Sequence, residues 1–110
     1  MKILFRHFLL LGVCFCAFPV YASQTVVSNF QLWATTGQDT IRVVPIGVSV
    51  VNPDGCTDPD SYMVNVALTP AQISRIYSAL LAAKTSGKAV RLATSGCQSN
   101  RPAIYDVILD

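Results

Sequence analysis

The sequence predicts a mainly β domain carrying one long helix, and three observations lead there. Apolar and polar residues alternate through several separate runs, as they do in half-buried strands. One stretch, Thr69 to Gly87, instead repeats its apolar residues at helical spacing between a clear start and stop. Clusters of Gly, Pro, Asn, Asp and Ser punctuate the runs, at Thr36-Gly37-Gln38-Asp39, from Asn52 to Asp60 and from Ser95 to Asn100.

Ahead of these elements, residues 1–22 read as a cleavable export signal. Lys2 and Arg6 lead an apolar run from Phe8 to Phe18, and the stretch closes on Pro19-Val20-Tyr21-Ala22. The run is roughly 11 residues against the roughly 20 a membrane-spanning helix needs, and no other stretch reaches that length, so no membrane span is expected. Val20 and Ala22 are small residues three and one positions before a cut between Ala22 and Ser23. A second reading stays open at Leu11-Gly12-Val13-Cys14, where a lipid would attach to Cys14, although Val13 stands where Gly or Ala is the usual residue. Residues 23–110 then form a single domain, exported to the periplasm or beyond the cell.

Within that domain Ser23 to Trp33 has strand composition, with Phe30 and Leu32 on one face and Trp33 on the other. Thr40 to Val51 forms a second strand that would turn Val44, Ile46, Val48 and Val50 to one side, and Pro45, unable to donate to a ladder, marks an edge or bulge. Tyr62, Val64, Val66 and Leu68 alternate as a third strand. The helix follows. Thr69 is its N-cap, Pro70 its first residue and Gln72 closes a capping box, while Ile73, Ile76, Tyr77, Leu80 and Leu81 form the apolar stripe. Lys84 suits the last turn and Gly87 the left-handed stop. Two more strands, Lys88 to Thr94 and Ala103 to Leu109, flank a loop from Ser95 to Asn100. The order β-β-β-α-β-β is that of an OB-fold-like, five-stranded small barrel, in which the last two strands and the loop joining them help to form the ligand face.

A domain of this size buries too little surface to be comfortable without a covalent staple. Of four cysteines in the chain, Cys14 and Cys16 belong to the export signal, which leaves Cys56 and Cys97 as an expected disulfide in an oxidising compartment. Closing a loop of about 40 residues restricts the unfolded chain by about 4 kcal/mol.

Charge and residue types exclude several functions. The formal charge of +2 comes from Lys2 and Arg6. Beyond the signal, Arg42, Arg75, Lys84, Lys88, Arg91 and Arg101 face an equal number of aspartates, so no basic stripe for nucleic acid is left. The single His of the chain, His7, lies in the signal and the chain has no Glu. The common nucleophile, base and soft-metal constellations cannot be assembled, no cofactor is expected, and the domain reads as non-catalytic. Lys84 and Lys88 read as solvated lysines at a helix end. Asp54, Asp58 and Asp60 lack the calcium-loop pattern and read as turn chemistry, with a weak calcium site as the other reading. Tyr62, Tyr77 and Phe30 read as core. Candidate ligand contacts are Trp33, an outward ring able to stack on a sugar or a subunit, Arg101 at the end of the polar run Gln98-Ser99-Asn100, and Tyr105 in the last strand.

The segment from Ile76 to Leu92, IYSALLAAKTSGKAVRL, followed by Gly96-Cys97 and Ile104-Tyr105-Asp106-Val107, resembles a group of small secreted bacterial proteins. It is also similar to the receptor-binding B subunits of AB5 toxins of the subtilase cytotoxin and pertussis-like type. The likeness spans roughly residues 56 to 109. It implies a disulfide-bearing OB-fold, a homo-oligomer in the form of a pentamer, and a glycan as partner. The competing expectation is a periplasmic structural or protein-interaction protein. Intact mass of the exported protein checks the leader: a chain beginning at Ser23 is expected, and a lipid-modified chain beginning at Cys14 would overturn the assignment.

Overall fold

The computed structural model describes residues 23–37 and 41–110. The expected export signal, the expected cut after Ala22 and residues Gln38, Asp39 and Thr40 lie outside the described residues. Among the described residues the class is mainly β with one helix. Strands β1 (Ser23–Val27), β2 (Phe30–Ala34), β3 (Ile41–Pro45), β4 (Tyr62–Val64), β5 (Val90–Gln98) and β6 (Arg101–Ile108) form one sheet in the order β1-β5-β6-β4-β3-β2, and α1 (Pro70–Ser86) separates β4 from β5 in the chain. All pairings are antiparallel except β4 with β6.

The described strands number six where the alternation predicts five, because the run from Ser23 to Trp33 breaks at Ser28 and Asn29. Residues before the break pair with β5 and residues after it pair with β3. The two outermost strands of the sheet are thus joined by only two residues. That link spans at most about 11 Å, so the sheet must curl until its outer strands approach each other there. Val27 and Phe30, each 2% exposed, enter the same core from the two sides of the break.

The second strand is shorter than its composition suggests, and it faces the other way. It ends at Pro45, and its buried residues are Ile41 and Val43, the latter opposite Leu32 on one side and Tyr62 on the other. Val44 and Val50 are half-buried, whereas Ile46 and Val48 are exposed. The cause is non-local: two overlapping alternations, Ile41-Val43 and Val44-Ile46, both fit a strand, and pairing with β2 and β4 selects the first. The third strand likewise stops at Val64. Asn65 then turns the chain, its side chain accepting the Ala67 N–H at 2.9 Å and its carbonyl the Leu68 N–H at 3.3 Å.

The helix has the predicted bounds. The Thr69 hydroxyl accepts the Gln72 N–H, the Gln72 side chain accepts the Thr69 N–H, and Gly87 closes the last turn at φ 67°. Its buried face is Ile76, Leu80 and Ala83, flanked by half-buried Ile73 and Tyr77, while Leu81, expected in the stripe, is 45% exposed. Ala83 is buried at the C-terminal end of that face. There the Lys84 ammonium donates to the Phe30 carbonyl at 2.6 Å and lies 5.6 Å from the centre of the Phe30 ring, which ties the helix end to β2.

The expected loop at Ser95 to Asn100 is mostly strand. β5 continues through Gly96 and Cys97 to Gln98, leaving a two-residue turn in which Ser99 (φ 50°) and Asn100 (φ 65°) are both left-handed, the geometry that suits the twist of a tight hairpin. Register shifts of one residue interrupt the β5–β6 ladder twice, the extra residue falling in β5 near Gly96 and in β6 at Tyr105. Cys56 and Cys97 are joined, with S–S 2.01 Å and Cα–Cα 5.8 Å, so the bridge links the loop before β4 to a strand rather than to another loop. Among the described residues no helix is long and apolar enough to cross a membrane. Equilibrium unfolding of two variants checks these assignments. Thr69→Ala should cost about 1 kcal/mol, and Cys97→Ala about 2 to 5 kcal/mol; a Cys97→Ala protein as stable as the parent would remove the disulfide from its structural role.

Candidate functional site

Strand alternation places Gln31 and Trp33 on the outer side of β2, because Phe30 and Leu32 pack on the core. The same logic puts Arg42 outward on β3, Met63 on β4 and Ala103 on β6, and these align across the sheet as Trp33, Arg42, Met63 and Ala103. Trp33 is 47% exposed, yet its ring is held on two sides. Its indole N–H donates to Gln31 Oε1 at 3.1 Å, and the Arg42 guanidinium lies 5.8 Å from the ring centre. Arg42 in turn donates through Nε to the sulfur of the fully buried Met63 at 3.2 Å. The aromatic ring is thereby oriented in advance, and a ligand stacking on it orders little that is not already ordered.

Arg101 stands on the same outer face, two residues before Ala103. It is not a free cation. Its Nε donates to Asp60 Oδ1 at 2.6 Å, its Nη2 to Asp60 Oδ2 at 3.1 Å and to Asp58 Oδ2 at 3.0 Å, and its Nη1 to the Ser99 carbonyl at 2.8 Å. The side chain is 16% exposed. The acidic residues that read as turn chemistry are thus largely spoken for by protein donors: Asp54 accepts the Gly96 N–H at 2.8 Å, and the Asn52 side chain both accepts from and donates to the Cys56 backbone. The Asp58 N–H reaches the Asn100 carbonyl at 2.9 Å. Together with the disulfide, these bonds lock loop 52–60 onto the β5–β6 hairpin, and Arg101 is the clamp at its centre.

The Asp60 carboxyl is held below its ordinary value, first by the hydrogen bond from Arg101, with smaller help from the Ser61 hydroxyl and from the charges of Arg101 and Arg42; partial burial opposes them. Arg42 therefore acts on both constellations, packing against Trp33 and reaching Asp60 electrostatically.

Of the three candidate contacts, the structure brings Trp33 and Arg101 to one face and leaves Tyr105 elsewhere. Tyr105, 37% exposed, sits at the bulge in β6 and lines a groove against α1. Gln31 and Arg42, which hold the Trp33 ring, were not singled out as contacts from the sequence. The available signal was parity, since both alternate with core residues as Trp33 does. Chemically, the Trp33 face offers an aromatic plane, hydrogen-bond donors and one cation. Compared with models of known protein families, with curated proteins and with solved structures, the chain matches none.

Acid titration tests the clamp. A carboxyl whose pKa is depressed in the folded state adds stability that is complete above its unfolded value, about 3.9 for Asp, and that fades as the pH falls through the folded value. The parent should lose stability across the window below about pH 4. Arg101→Gln should be less stable at neutral pH and lose less on acidification. Parallel acid-unfolding curves for the two proteins would show that the ion pair does not hold the loop.

Proposed function

We propose that this chain is an exported, non-catalytic binding module that takes carbohydrate on the outer face of β2 and β3. The single observation that carries the reading is Trp33: a half-exposed ring on the outer side of β2, fixed by the polar side chains of Gln31 and Arg42. Such a ring suits the apolar face of a sugar while its neighbours suit the hydroxyls. Charge favours the same class. On the described face Arg101 is paired with Asp58 and Asp60, and the one remaining cation, Arg42, makes no basic track for a nucleic acid backbone.

The fold reading under this proposal is an OB-type barrel similar to the toxin B subunits. Its support is the two-residue link between β1 and β2. Counted as one bent strand, they give five strands, with the first shared between the two ends of the sheet, a parallel pairing of the third with the fifth, and a helix between the third and fourth. In OB-folds the face of the second and third strands, with the loops beside it, binds oligosaccharides and oligonucleotides. Here the open part of that face lies at β3 beside Trp33 on β2, since all three side chains of β4 are buried. The same resemblance suggests a pentamer, in which repetition would turn weak sugar contacts into useful avidity.

A protein partner is the second reading, favoured by Ile46, Val48 and Val51, three apolar side chains exposed along one irregular stretch, with Val48 at 63%. A glycan array on the secreted protein separates the two. We expect one consistent sugar determinant, weakened by about 2 kcal/mol or roughly thirtyfold in Trp33→Ala, with unfolding unchanged. Light scattering on the same samples should give a mass above one chain. An array without any determinant overturns the carbohydrate reading, and a single-chain mass at every concentration overturns the pentamer.

A further inference from the structure

The bulge in β6 has a counterpart in the helix. Ala93 pairs with Asp106 and Thr94 with Ile104, so Tyr105 is the residue left over; beyond it the alternation resets, which returns Val107 to the core opposite Leu92. Bulges re-aim side chains, and here the re-aimed pair, Tyr105 and Asp106, lines a groove of about 290 Å³ with Leu68, Gln72, Arg75 and Ile76. Its apolar part is Ile76, which is buried, and half-buried Leu68.

The polar groups around this groove are unspent. Among the described residues Arg75 makes no ion pair or hydrogen bond, and the Tyr105 hydroxyl has no partner. Asp106 uses Oδ1 to accept the Val107 N–H at 3.0 Å, which leaves Oδ2. The capping box engages the carbonyl oxygen of Gln72 and leaves its amide hydrogens. One guanidinium, one carboxylate oxygen, one amide and one phenol therefore border the groove, beside an aromatic ring and two aliphatic side chains.

We propose that this groove is a second ligand site, separate from the Trp33 face, and that it takes one neutral sugar ring. The chemistry selects that class. Arg75 and Asp106 cancel in charge, so an anion would meet the carboxylate and a cation the guanidinium. A polyhydroxylated ring presents donors and acceptors together and satisfies both. Its apolar face suits Tyr105, and the volume, at the lower end for small-molecule sites, suits one ring rather than a chain. The inference rests on the carbohydrate reading for its ligand class, and its residues are distinct from those of the Trp33 face.

Proton–nitrogen NMR on the full secreted protein, titrated with methyl β-galactoside, methyl β-glucoside and methyl α-mannoside, tests it. For at least one glycoside the backbone amides of Gln72, Ile76, Tyr105 and Asp106 should move and saturate. Asp106→Asn, which keeps the acceptor for the Val107 N–H, and Arg75→Gln should each weaken that binding roughly tenfold, whereas Trp33→Ala should leave it unchanged. The indole N–H signal of Trp33 reports the other face in the same spectra, so the two sites fail or succeed independently. Absence of saturable shifts at the groove amides with all three glycosides would overturn the proposal, and so would binding that survives both groove variants.

Discussion

Three residues, Tyr62 to Val64, join the two halves of this sheet, and the fold depends on what keeps them in place. β4 is the only bridge in the described sheet between β3 and β6, and its ladders hold just two register pairs on each side. A strand this short cannot position itself through its backbone bonds. Its anchors lie in the segment before it: the Cys56–Cys97 bridge and the Arg101 clamp fix the loop that precedes it, and the Tyr62 hydroxyl accepts the Val51 N–H at 2.8 Å. All three side chains of β4 are buried, Tyr62 and Val64 in the main core and Met63 on the other side under Arg42.

The disulfide therefore acts beyond its effect on the unfolded chain. It holds the residues before β4 against the hairpin that β4 must join, and the Arg101–Asp60 pair repeats that contact non-covalently a few residues later. Exposed ion pairs contribute little as a rule. This one differs because the arginine side chain is mostly buried and makes a forked contact with the Asp60 carboxylate. The polar run that ends in Arg101 thereby changes meaning: its cation is a structural part of the hairpin, and the face it helps to build is presented by Trp33 and Arg42.

The helix serves the sheet in a comparable way. Its C-terminal end is pinned to β2 through Lys84, next to the point where the chain crosses from one edge of the sheet to the other. Its N-terminal cap commits one end of the Gln72 amide to Thr69 and leaves the other beside the groove. The curl of the sheet, the placement of the helix and the groove at Tyr105 are thus linked through a few side chains.

The helix, its caps and the mainly β class were legible in the sequence because their causes are local: Thr69, Gln72 and Gly87 act on neighbours within four residues, and a 3.6-residue period needs no partner to be recognised. The pairing of Cys56 with Cys97 was legible by elimination once Cys14 and Cys16 were read as part of an expected export signal. The outward position of Trp33 followed from its parity with Phe30 and Leu32. The face of β3, the break at Ser28 and Asn29, the extension of β5 through Cys97 and the pairing of Arg101 with Asp58 and Asp60 were not legible. An alternation of period two fits equally well when shifted by one residue, and only the strand lying beside it decides which half turns inward. A charged side chain likewise carries no sign of whether it meets solvent, ligand or a carboxylate roughly 40 residues away, so tertiary structure decided which polar residues hold the fold and which are left to bind.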